Sequence, residues 1–158
     1  MESVPYLNTY KEEDFPPPTV GALTRLTWLL VRERIYAAVL AAGYDDLQPA
    51  HVLLFGYPTI ADMRPSELAQ QRGLSKQTIN DLLRQMEAKG YLELRQDPSD
   101  GRARLITLTA RGSELADLIR SIAQDIQEEW ARVIGIRRYE ALRQSLLRLI
   151  EAANSGLI

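Results

Sequence analysis

The sequence predicts a mainly α fold with a small β-wing, arranged as a winged helix-turn-helix. Two short helical patterns lie on either side of Gly73-Leu74-Ser75, two strand-like runs frame the turn-rich stretch Asp97-Pro98-Ser99-Asp100-Gly101, and long apolar-periodic helices flank the whole. With 158 residues, 46% of them hydrophobic and 25% charged, the chain is the size of one compact domain or of a small domain on helical extensions.

Residues 1–18 mix polar, acidic and aromatic side chains and end in Pro16-Pro17-Pro18. This arm reads either as a mobile leader or as an extended segment laid across a partner subunit, anchored by Tyr6, Leu7, Tyr10 and Phe15. Thr19 can cap a long helix that runs to Ala42 and stops at Gly43. Leu23, Leu26 and Leu30 form one apolar row on it, and Trp28, Val31, Ile35, Ala38, Val39 and Ala42 form another. A helix with two apolar rows has more than one surface to cover, which points to a helix shared with another subunit. Leu47 to Tyr57 suggests a shorter helix with Pro49 in its first turn. Pro58 to Met63 then connects, with room for a short strand beside the wing.

Pro65 to Arg72 reads as the first helix of the helix-turn-helix, because proline suits a first helical turn and Glu67 places negative charge at the positive helix end. Gly73 ends it, Leu74 is expected to plug the corner, and Ser75 can cap the next helix. That helix, Lys76 to Lys89, turns Ile79, Leu82, Leu83 and Met86 to one buried face. Its other face carries Lys76, Gln77, Asn80, Arg84 and, partly, Thr78. Gln and Asn can bond adenine bidentately, while Lys and Arg reach guanine or phosphate, so this is the composition of a major-groove reader. Gly90 stops the helix. Tyr91 to Gln96 and Arg102 to Thr109 read as two strands joined by the Asp97 to Gly101 turn. A hairpin tipped by Arg102 and Arg104 suits a phosphate backbone or a narrow minor groove. Ala110 to Ile134 is a long helix, Gly135 breaks it, and Ile136 to Ala153 forms a last helix before a loose tail.

Composition excludes several classes of function. The chain has no cysteine, which removes disulfides, thiolate nucleophiles and thiol redox sensing, and with His51 as its single histidine a zinc or haem site would need unusual ligands. There is no apolar run of about twenty residues and no signal-like start, so no membrane partner is expected and a cytoplasmic location follows. His51 is expected to be structural or a polar ligand contact rather than catalytic, and Asp45-Asp46 and Glu128-Glu129 are expected to be solvated faces. No nucleophile-base-orienter pattern and no phosphate-cradling glycine loop is present, so neither an enzyme nor a cofactor or metal is expected. The net charge of -2 hides a regional split. From Arg64 to Arg104 eight Lys or Arg face six acids, an excess of +2, which leaves -4 for the remainder.

Leu68-Ala69 through Gly73-Leu74-Ser75, then Leu82-Leu83, Met86-Glu87 and Lys89-Gly90, then Asp97-Pro98, Asp100 and Arg102, and finally Leu105, Thr107-Leu108-Thr109 and Gly112 resemble the multiple-antibiotic-resistance regulator family, MarR. The helix-turn-helix part is shared by many bacterial repressors. The Asp-x-Arg wing and the Leu-Thr-x-x-Gly run into a long helix are more specific. The resemblance implies that Arg102 enters the minor groove and that Asp100 holds it. It also implies N- and C-terminal dimerisation helices, over 19–45 and 110–158, around a DNA-binding domain at 46–109. Two heads, with recognition helices about 34 Å apart, would then face a palindromic operator. Family members often bind small aromatic or amphipathic anions between the dimer layer and the head, for which Trp28, Arg32, Tyr36, His51 and Phe55 are the candidates here. One departure stands out: the family often has Arg where this chain has Asp81, and an acid where it has Arg84. Asp81 is expected to pair with Arg84 or Gln85, or to face away from DNA.

The expectation is a homodimeric regulator of transcription that binds double-stranded DNA, a repressor blocking promoter access and released by a small effector. Ser75, Lys76, Gln77, Thr78, Asn80, Arg84, Asp100, Arg102 and Arg104 would form the DNA-binding surface. The competing reading is a winged-helix protein-interaction module that has lost DNA binding, for which Asp81 is the best support.

Overall fold

The computed structural model describes residues 18–157, so the expected N-terminal arm, apart from Pro18, lies outside the described residues. The elements run α1 (Val20–Ala41), α2 (Pro49–Leu54), α3 (Pro65–Arg72), α4 (Lys76–Ala88), β1 (Leu92–Asp97), β2 (Asp100–Leu108), α5 (Ala110–Ile134) and α6 (Ile136–Asn154). The described residues divide into two compact units inside α5, between Ile119 and Arg120.

In the first unit, Thr19 caps α1 as expected, its hydroxyl accepting from the Ala22 amide at 3.2 Å. Val39 is the buried residue of this helix, while Val20, Leu23 and Trp28 stay exposed. The helix α2 is shorter than its apolar pattern suggests. The carbonyls of Leu54 and Gly56, which a longer helix would use internally, instead accept from the Arg72 guanidinium at 3.1 and 2.8 Å. Along the connector, the Asp62 amide donates to the Ile106 carbonyl at 2.8 Å and the Ile106 amide to the Met63 carbonyl at 3.0 Å. It does not become a strand, because Asp62 takes a left-handed φ of 61° that breaks the extended run.

At the helix-turn-helix corner, Gly73 has φ 62°, and the Leu74 amide reaches back to the Ala69 carbonyl at 3.0 Å, which closes α3. Leu74 does not plug the corner: its side chain is 43% exposed. On α4, Ile79, Leu83 and Met86 are fully buried, and Leu82 is half-buried. They join Leu54, Ile60, Leu68, Tyr91, Leu92 and Ile106 in the core of this unit. The two strands pair antiparallel from Leu92↔Leu108 to Gln96↔Arg104, and then the register jumps to Asp97↔Asp100. Gly101, Arg102 and Ala103 therefore bulge from β2 at the tip. Thr109 starts α5: its hydroxyl donates to the Gly90 carbonyl at 2.6 Å and accepts from the Gly112 amide at 3.1 Å.

In the second unit, Ile126 is the one buried apolar side chain among the described residues, and α6 buries none. Leu142, Leu149 and Ile150 remain exposed along α6.

Candidate nucleic-acid interface

The outward face of α4 is built from its cap onward. Ser75 accepts from the Thr78 amide at 3.0 Å and shares a 2.8 Å hydrogen bond with the Thr78 hydroxyl, which pins the first turn of the helix. Lys76, Gln77, Thr78, Asn80 and Arg84 are all exposed beyond that cap. Asp81, the departure from the family pattern, is paired with Arg84 on its own helix.

The wing tip is held by a second construction. The Arg64 guanidinium, just before α3, donates to one oxygen of Asp97 at 2.6 and 3.0 Å, and it lies 3.6 Å from Asp100. The other Asp97 oxygen accepts from the Ser99 amide at 2.8 Å and the Ser99 hydroxyl at 2.6 Å. The Ser99 hydrogen bonds and the Arg64 guanidinium hold the Asp97 carboxyl at about 2, below the usual carboxylate range. Asp100 does hold Arg102, but through the backbone: its carboxylate accepts from the Arg102 amide at 3.1 Å. The Gln96 side-chain amide donates to the Gly101 carbonyl at 2.7 Å and closes the bulge. A bulge re-aims the side chains it carries, and here it presents an exposed Arg102 next to an exposed Arg104.

Several cations counted in the sequence are occupied inside the protein. Arg64 is held by Asp97, Arg84 by Asp81 and Arg95 by Glu93, and Lys89 lies 4.0 Å from Asp46. Arg72 donates to the carbonyls of Leu54, Gly56, Tyr57 and Pro58, between 2.8 and 3.1 Å, and its burial lowers its pKa. Among the described residues, Lys76, Arg102 and Arg104 are the head cations left with neither an ion pair nor a carbonyl partner. They stand on the recognition face and the wing tip.

The proposed effector residues are not equivalent. His51 is buried, with Nδ1 accepting from the Gln48 amide at 3.1 Å, which leaves the proton on Nε2 for Gln85 Oε1 at 2.8 Å. Both ring nitrogens are thus used between α2 and α4. Phe55 is buried, with its ring edge-on to Tyr91 at 6.5 Å. The Tyr36 hydroxyl donates to the Leu47 carbonyl at 3.1 Å. Trp28, Arg32 and Tyr36 recur at four-residue spacing along α1, with Trp28 50% exposed and Arg32 half-buried.

Asp46, expected to be solvated, is instead a junction. It accepts from the Tyr91 hydroxyl at 2.7 Å and from Arg111 at 3.1 Å, while Arg111 lies over the Tyr91 ring at 4.2 Å. Burial and the adjacent carboxylate push the Tyr91 phenol well above its ordinary pKa, so it stays a donor. The sequence offered no sign of this cluster beyond the residue types, because Asp46 and Arg111 are 65 positions apart.

The MarR family profile matches residues 45–103, the stretch that carries all of this surface except Arg104. No curated protein matches. Among solved structures, the chain is similar to a crystal structure of MarR, at 24% identity and TM-score 0.73 over 94% of this chain and 97% of that one. It is also similar to the transcriptional repressor CouR bound to a 23-mer DNA duplex, at 20% identity and TM-score 0.63 over 84% and 92%. Streptococcus pneumoniae FabT in complex with DNA matches at 18% identity and TM-score 0.65 over 84% and 94%.

Proposed function

We propose, on the premise that this chain carries a MarR-family winged helix over residues 45–103, that it is a double-stranded DNA-binding regulator of transcription and not an enzyme. The observation that carries the reading is the placement of Lys76, Arg102 and Arg104, the unpaired head cations, on the two surfaces a winged helix lays against DNA. Lys76, Gln77, Thr78 and Asn80 would read base edges, and the wing would supply affinity from the backbone and minor groove. Two fold relatives were solved on DNA, which supports the same use of this fold. The finer reading is a repressor that binds a palindrome as a homodimer in the cytoplasm, with 19–45 and 110–158 as dimerisation helices. The exposed apolar residues of α1 and α6 support that assembly.

An effector would meet Trp28, Arg32 and Tyr36 rather than His51, whose nitrogens are engaged. The rival module reading loses its main support, because the Asp81 charge is matched by Arg84. Selection of bound duplexes from a random library tests the proposal: a palindrome with half-sites about one DNA turn apart is expected. Recovery of no duplex at low salt would overturn it.

A further inference from the structure

Ile79, Leu83 and Met86 define the buried side of α4. At about 100° per residue, Asp81 lies about 200° from Ile79, directly opposite that side. Gln77 stands one turn before it and Arg84 one turn after, so the outermost line of the helix reads Gln77, Asp81, Arg84. The Asp81 side chain is 44% exposed and that of Arg84 72%, and Arg84 Nη2 donates to Asp81 Oδ1. A pair so open to solvent adds little to folding stability, so stability does not account for a carboxylate at the most forward position of a DNA-facing helix.

DNA phosphates repel an unmatched carboxylate there. Arg84 removes that penalty, and the two side chains together present an acceptor beside a fork of donors with no net charge. In the major groove cytosine displays a lone N4 amino donor, while its guanine partner displays the O6 and N7 acceptors. We propose that Asp81 and Arg84 jointly read one C·G pair in each operator half-site, Asp81 accepting from cytosine N4 and Arg84 donating to guanine. The inference rests on the DNA-binding reading above. It explains the departure from the family pattern as a choice of sequence: each residue orients the other, and thymine or adenine at that pair would leave one of them facing the wrong partner.

Random-duplex selection with the full-length wild type, Asp81→Ala and Asp81→Asn tests this. The wild type is expected to hold one C·G pair fixed in each half-site. Asp81→Ala is expected to keep the palindrome and its spacing while losing about tenfold discrimination at that pair, and to bind random duplexes more tightly. Asp81→Asn is expected to move the preference toward A·T, since an amide bonds adenine bidentately. If the wild type selects a palindrome and neither variant changes any position of it, the paired reader is overturned and DNA binding stands. If the wild type selects no duplex, both fall together.

Discussion

A Cβ added at Gly112 would lie 1.9 Å from the Tyr91 carbonyl oxygen, a contact no rotamer change relieves because the obstacle is backbone. The Leu-Thr-x-x-Gly run therefore marks a close crossing of α5 over the chain entering the wing, sealed by the Thr109 hydroxyl on Gly90 and Gly112. Gly112→Ala is expected to lower stability by about 1–3 kcal/mol, read as a fall in the urea midpoint. Under the proposed function, Arg102 and Gln77 are expected to separate affinity from choice. Arg102→Ala should weaken binding to every duplex and reduce the slope of log affinity against log salt by about one. Gln77→Ala should instead relax base preference at one position, and equal losses on specific and random duplexes would show that α4 docks differently. Arg72 shows where residue-level reading ends. In the sequence it is one more head cation, yet its carbonyl partners lie 14 to 18 positions upstream, and only the folded chain brings them to it.

At the scale of elements, α3 could be read to the residue because each boundary has a local cause: Pro65 inside the start and Gly73 at the end. The wing could not. Its turn residues were evident, but the jump in register that bulges Arg102 depends on Gln96 meeting Gly101 and on Arg64 gripping Asp97, 33 positions away. That grip makes the wing an acid-sensitive element. The Asp97 carboxyl is lowered to about 2 in the fold, so its ionised form contributes stability above the unfolded carboxylate range, and that contribution is lost as pH falls through about 2. Glu140, held down to about 2 by Arg143 and Gln144, titrates in the same window, so a difference between variants is needed. Asp97→Asn should be less stable than wild type at neutral pH, and the gap between them should narrow from about pH 4 downward as the wild-type carboxylate takes up its proton. A gap that stays constant with pH would show that Asp97 acts through shape alone.

On the scale of the whole molecule, the -2 net charge says little about DNA, because most head cations have internal partners, Arg84 carries its charge matched by Asp81, and Lys76, Arg102 and Arg104 remain as the cations with no partner inside the protein. So few free cations on one head give modest affinity and a shallow salt dependence. Under the proposed function, useful binding would depend on two heads sharing one duplex, where linkage alone can raise affinity about 10²- to 10⁴-fold. The helix α6 is the candidate surface for this pairing. None of its residues is buried, and Leu142, Leu146 and Leu149 recur along one side at helical spacing, with Leu149 51% exposed. In a lone subunit, a charge at a half-exposed position costs little. Between two subunits it would be buried without a partner and would drive them apart. Leu149→Glu is therefore expected to keep its helical circular dichroism, sediment as one subunit where the wild type sediments as two, and lose at least about 100-fold affinity for a palindromic duplex while binding a single half-site as before. A variant that stays dimeric, or that loses half-site binding equally, would mean that α6 does not join the two heads.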